Sequence, residues 1–301
     1  MDVKSILNEY DKMFGRDSLD DIENFLYGKI SQAITEGETG VIITLLNEMI
    51  GLCRDTSQKE KALAYSGQLI KLLDNLELQG TQSYATSMQN VANVYRAFGL
   101  WKEALGVFEI IEKTYQLYLE ENHVLWPTLY NNWGLLYQEM GDYEQSVRML
   151  KKSLERIAFM QSEKIKHAIT MSNLGTSLIS LGNDERAEEG CDYLNKAILI
   201  FQEDGERDFH YGAALVAMGD YMVYKKQWHE AKEYYKKGLV EILLHTWKND
   251  SYGRVYEKYM TVAETCKENS VWKNNLQRSK EFYENYGRRK TGSGGKKAAC
   301  L

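Results

Sequence analysis

Apolar positions recur along this chain at the three- and four-residue spacing of helices that bury one face, and the pattern itself returns at long intervals. Asn90-Val91-Ala92-Asn93-Val94-Tyr95, with Gly99, Trp101, Ala104 and Phe108, has a counterpart in Asn132-Trp133-Gly134-Leu135-Leu136-Tyr137, with Gly141, Tyr143, Ser146 and Leu150. A third copy carries Leu174-Gly175, Leu178, Gly182 and Ala187, and a fourth carries Met218-Gly219, Met222, Trp228, Ala231 and Tyr235. The small anchors Ala92, Gly134, Gly175 and Gly219 stand 42, 41 and 44 residues apart. Weaker copies around Ile50-Cys53-Ala62 and Ala263-Cys266-Trp272 bring the count to about six.

Each recurring residue has a mechanical role. A small anchor in the first helix lets a second helix approach, and a large side chain three positions on fills the space beside the contact. Glycine four residues further ends the first helix in a left-handed cap, as expected of Gly99, Gly141 and Gly182. The second helix begins almost at once and turns its own small residue back into the pair. In the third copy either Ala187 or Gly190 fits that role, as though Glu188-Glu189-Gly190 were inserted. The expected fold is all-α: a right-handed superhelix, or α-solenoid, of about six antiparallel helix pairs, whose first helices line a concave face.

Residues 1–40 stand outside the repeat. Helical patterns over 3–13 and 18–36, the second opened by Ser18 with Asp21 three residues on, predict helices that cap the array. The repeats then occupy 41–286, and 287–301 form a basic tail with no apolar periodicity.

The anchor, the aromatic, the helix-ending glycine and the alanine with a large apolar residue after it together resemble the tetratricopeptide repeat, over roughly residues 43–286 and most closely over 85–240. The unit is longer than the usual 34 or so residues. In its length and its doubled Asn131-Asn132 it is similar to the kinesin-light-chain type.

The resemblance implies a scaffold that binds a protein or peptide in its groove, and for asparagine a role in holding the backbone of an extended peptide. Asn90, Asn132 and Asn173 stand two positions before their anchors, about 200° around the helix from the anchored face. Such a row of amides either lines the groove or bridges neighbouring helices, since asparagine inside a helix needs a compensating contact. Asn93, Arg96, Asn131 and Gln138 extend the candidate peptide-binding set, with Arg96 suited to a carboxylate. Arg207-Asp208-Phe209-His210-Tyr211 reads either as a pocket edge or as an Asp cap with the aromatics packed inward.

Composition narrows the classes. One proline, Pro127, leaves long helices unbroken, and 44% hydrophobic with 27% charged residues is the balance of a folded chain. The 21 tyrosines and six tryptophans supply buried area where small residues open gaps. The net charge is −6, but the last fifteen residues hold five cations and no acid, so the remainder carries about −11, which disfavours nucleic-acid binding.

Cys53, Cys191, Cys266 and Cys300 are too scattered for a zinc knuckle or redox pair. Cys300, second from the end, is misplaced for prenylation. Without a leader pattern or a long apolar run the expected address is cytoplasmic, away from membranes. The five histidines form no H-E-x-x-H, no G-x-S-x-G elbow is present, and Gly292-Ser293-Gly294-Gly295-Lys296 lacks the first glycine of a phosphate loop. Neither catalysis nor a cofactor or metal is expected.

Two other classes stay open. Residues 276–287 look similar to the lead-in to a nucleotidyltransferase-like domain that follows such repeats in some gut bacteria, which would make the chain the regulatory or substrate-holding half of a truncated enzyme. A peptide-pheromone-type regulator would also use the groove, although residues 1–40 are short and acidic for a DNA-binding helix-turn-helix.

Overall fold

The computed structural model describes residues 1–158, 160, 163–204, 208–245 and 250–266, which contain thirteen α-helices and no strand. These residues fall into two compact units, one of residues 1–79 and one beginning at Gly80. The proposed lead-in at 276–287 and the basic tail lie outside the described residues.

The first unit holds α1 (Val3–Met13), α2 (Leu19–Glu36), α3 (Thr39–Asp55) and α4 (Lys59–Asn75). Ser18 and Asp21 form the expected capping box, and Gly37 ends α2 at φ 71°. α2 packs on α3 and α3 on α4. Glu23 of α2 adds polar ties, accepting from Gln58 and Lys61.

The second unit is a run of helix pairs. α5 (Gln82–Ala97) lies on α6 (Trp101–Tyr118), α7 (Leu125–Glu139) on α8 (Tyr143–Ile157), α9 (Lys164–Ser180) on α10 (Asp184–Asp204), and α11 (Phe209–Tyr224) on α12 (Trp228–His245). α13 (Asp250–Thr265) packs on α12. First helices of successive pairs also touch, α5 on α7, α7 on α9 and α9 on α11. Each pair therefore shares a core with the next, as where Ile169 and Met171 of α9, Phe201 of α10 and Tyr211 and Leu215 of α11 meet.

The helix ends follow from the glycines. Gly99, Gly141 and Gly182 sit at φ 75°, 78° and 75°, and the next N–H returns to the helix, Leu100 to the Tyr95 carbonyl and Asp142 to that of Tyr137. In the fourth copy Lys226 takes the same conformation at φ 59°, with Gln227 N–H reaching the Met222 carbonyl. A side chain there costs about 1 kcal/mol relative to glycine, so the turn is imposed by packing on both sides.

The anchors are where helices meet most closely. A Cβ on Gly134 would lie 2.6 Å from Leu150, and one on Gly219 would lie 2.6 Å from Tyr235. In the third copy a Cβ on Gly175 would lie 2.7 Å from the Gly190 carbonyl and 2.8 Å from Leu194. Gly190 and Leu194 thus do for α9 what Ser146 and Leu150 do for α7, with three extra residues in α10. Ala187, fully buried, faces instead the cluster of Ile179, Ala217, Met218 and Tyr221. The insertion lengthens α10 to 21 residues without breaking the pair.

Asp208 caps α11, its carboxylate accepting from the N–H groups of His210 and Tyr211 at 2.8 and 3.3 Å, while Tyr211 is buried. The pocket-edge reading of this segment therefore gives way to the capping one, with Arg207 outside the described residues.

Two outcomes follow for stability. Gly175→Ala should lower the unfolding free energy by ~1–3 kcal/mol, because the obstacle is backbone, whereas Gly28→Ala, on an open face of α2, should raise it by ~0.5–1 kcal/mol; urea titration followed by circular dichroism measures both. Burial holds the His167 and His210 imidazoles below their ordinary 6.5, with Asp208 opposing the shift at His210. The unfolded chain then takes up these protons first, so this stability is complete above 6.5 and is lost as pH falls below it. Urea midpoints should drop between about pH 7.5 and 5, and the drop should shrink in a His167→Gln, His210→Gln variant.

Candidate functional site

Helical geometry turns the face of α5, α7, α9 and α11 opposite the anchors away from their partner helices. Residues on that face that are not fully buried are small and mostly neutral: Thr86 and Asn90 on α5, Thr128 and Leu135 on α7, Asn173, Thr176 and Ser180 on α9, Ala213 on α11. Charge enters at Lys166, near the start of α9 and paired with Glu163 at 2.9 Å, at Glu139, at the end of α7, and at Asp220 of α11.

The asparagines form a ladder across the pairs. Asn173 Nδ2 donates to Asn131 Oδ1 at 2.9 Å, and Asn132 Nδ2 reaches Gln89 Oε1 at 3.5 Å. Both links run from the residue two before an anchor to the residue three before the preceding anchor. The fourth copy has Ala217 where an amide would continue, and the ladder stops. Of the two roles open to these side chains, bridging of neighbouring helices is visible here for Asn131, Asn132 and Asn173. Gln138 strengthens the same seam, its Nε2 donating to Ser177 Oγ at 3.1 Å and to the Asn173 carbonyl at 3.5 Å.

Asn131 stands beside the partner helix and not on the open side. It borders a cleft with Pro127, Thr128, Ile157, Lys166 and Thr170 whose volume is only about 10 Å³, far below the ~300–1,000 Å³ typical of small-molecule sites. Gln89, matching it one copy earlier, donates to the Tyr115 hydroxyl at 2.8 Å.

Asn93 and Asn132 differ from their neighbours. They are 2% and 1% exposed, and the Oδ1 of each is buried without a hydrogen-bond partner. Asn93 lies one turn beyond Gln89, and Asn132 reaches Gln89 from α7, so both acceptors belong to the α5–α7 seam. A dry, unsatisfied acceptor costs about 1–3 kcal/mol. Trp133 Nε1 is also unsatisfied, but its ring stacks between Phe108 and Tyr137, on the side of α7 toward α6.

Arg96 makes an ion pair with Glu139 across the same seam. Burial pushes the Glu139 carboxyl up, while Arg96 and then Arg254 of α13 pull it down. At the far end Lys258 of α13 holds both oxygens of Asp220 at 2.8 and 2.7 Å, and Tyr235 O–H donates to Asp220 at 2.6 Å.

Sequence reasoning missed Gln89, Glu139, Asp220 and Lys258. Gln89 shares Asn131's place relative to the anchor and was recoverable by comparing copies. Lys258 was not, because the last copy lacks a clear anchor. Among the described residues no group of three His, Cys, Asp or Glu could hold a metal, and no helix is long and apolar enough to cross a membrane.

Asn131→Ala should destabilise the fold by ~1–2 kcal/mol, because it strands the Asn173 donor, and Asn131→Ser should recover part of the loss; urea unfolding resolves the two.

Residues 127–189 match the tetratricopeptide repeat family. No curated protein matches this chain. Among solved structures, kinesin-light-chain TPR-like repeats from Podosopora anserina align with a TM-score of 0.52 and 17% identity, covering 65% of this chain and 92% of that one. BtubC (BKLC) from P. vanneervenii aligns at 0.51 and 14% identity, over 85% of this chain and 97% of that one. NprR in complex with its cognate peptide NprX aligns at 0.61 and 16% identity, over 95% and 84%. At such identities the likeness is one of fold.

Proposed function

We propose that this tetratricopeptide-repeat chain is a scaffold that docks a protein or peptide segment against the open face of α5, α7, α9 and α11, with no chemistry of its own. The observation that carries the reading is the run of first-helix positions opposite the anchors, where Asn90 and Asn173 are partly exposed amides among Thr86, Thr128, Thr176 and Ser180. Buried amide oxygens are ordinarily satisfied within the fold. Asn93 Oδ1 and Asn132 Oδ1 are exceptions, but both are sealed within the α5–α7 seam, so a ligand on the face meets the exposed amides and not these.

Within the candidate set, Asn90, Asn93, Asn132 and Asn173 stand on or beside this face. Asn131, Gln138 and Arg96 act through the helices they tie together. A helix-pair array specifies a surface, not a reaction. The likeness to NprR bound to its peptide favours a second, narrower form of the same reading, in which the occupant is a short free peptide that acts as a signal. The truncated-enzyme reading rests on residues 276–287, outside the described structure.

Selection of a random peptide library on the purified chain supplies ligands, and calorimetry measures their affinity. Asn90→Ala should weaken peptide binding roughly 5- to 30-fold, since it removes a partly exposed amide of the face. Unchanged binding with lost stability would make Asn90 purely structural.

A further inference from the structure

We infer that α13 is a strap over the open face of the second unit, tied to the earlier first helices by ion pairs and not by a packed seam, so that ionic strength sets where it lies. This goes beyond the docking reading and does not depend on it.

The first support is the way α13 is joined to its neighbours. α5 lies on α7, α7 on α9 and α9 on α11, and the last of these seams is a shared core that includes Ile169, Met171, Tyr211 and Leu215. α13 packs on α12, but among the described residues it forms no comparable seam with α11. What joins those two is Lys258, whose ammonium donates to both oxygens of Asp220 at 2.8 and 2.7 Å. The Tyr235 hydroxyl of α12 donates to the same carboxylate at 2.6 Å and holds it in place to receive Lys258. Both charged side chains stay within reach of water, 47% exposed for Lys258 and 29% for Asp220. An ion pair so exposed contributes little and weakens with salt, whereas an apolar seam does not weaken in that way.

The second support is reach. Packed helix axes stand about 8–10 Å apart, so the three steps along the row from α7 to α13 amount to ~25–30 Å. Charges in water are largely screened beyond about 8 Å at physiological salt. Burial nevertheless pushes the Glu139 carboxyl of α7 up, and Arg254 of α13 joins Arg96 in pulling it down. Arg254 stands one turn before Lys258, so the two cations share one face of α13. That face is therefore turned back over α9 and α11 toward α7. Glu139 is already paired with Arg96 and keeps 40% of its side chain exposed, so Arg254 adds a second and looser tie to it. With both ties made, α13 overhangs α9 and α11. With both screened, only its packing on α12 holds it, and the face widens.

The test needs no ligand. Spin labels are placed on ketone side chains introduced at the exposed Glu155 of α8 and Glu257 of α13 in the full chain, which leaves the native cysteines untouched. Pulsed electron resonance then measures the distance between them. In low salt the distribution should be single and narrow. In about 1 M salt, where the screening length falls to about 3 Å, it should broaden and shift to longer distances by several ångströms. Lys258→Met should give the long distance already in low salt, and Lys258→Arg should keep the short one; circular dichroism checks that each variant retains its helices. A distance that stays fixed in high salt, or that salt lengthens while a folded Lys258→Met chain keeps it short, overturns the inference and leaves α13 fixed by its packing on α12.

Discussion

The structure depends on one contact repeated with variations: two antiparallel helices brought together at a small residue, Ala92 in the first copy and in the next three a glycine whose added Cβ would collide. At Gly134 and Gly219 the obstacle is a large side chain of the second helix; at Gly175 it is the backbone of Gly190 itself. Everything else is arranged around that proximity. It fixes which face of each first helix is spent on its partner, and hence which face remains for the next pair and for a ligand. It also explains why the array tolerates three extra residues in α10: moving the close contact from Ala187 to Gly190 preserves the approach, and Ala187 is absorbed into the neighbouring core.

Amides occupy the seams between first helices, where helices of different pairs meet less closely than partners do. Asn131 with Asn173, and Asn132 with Gln89, span those seams. A buried amide is useful there only if satisfied, and the seam between α5 and α7 is the one where two amide oxygens are not. Amides of one residue type at adjacent positions thus differ in whether the oxygen already has a donor. The paired charges at the ends of the face add to these ties, Arg96 joining α5 to α7 and Lys258 joining α13 to α11.

Much of this was legible in the residues alone. The repeat, the helix pairs, the glycine turns and the Ser18–Asp21 capping box follow from local rules, in which a residue's conformation depends on neighbours within one or two turns. Lys226 in a left-handed turn was not legible, because no local preference of lysine calls for it. Nor was the choice between Ala187 and Gly190, since both are small and only the distance to the facing backbone separates them.

For the candidate site the division is sharper. The chain by itself determined that asparagines recur at one place before the first three anchors and that this place points away from the partner helix, because helical pitch converts spacing into direction. Only the tertiary structure decided which amides are satisfied, that Glu139 and Asp220 are neutralised from neighbouring helices, and that Asn131 serves a seam beside its partner helix. Those facts rest on side chains some forty residues apart, and pitch carries no information about which atoms of one helix reach those of another.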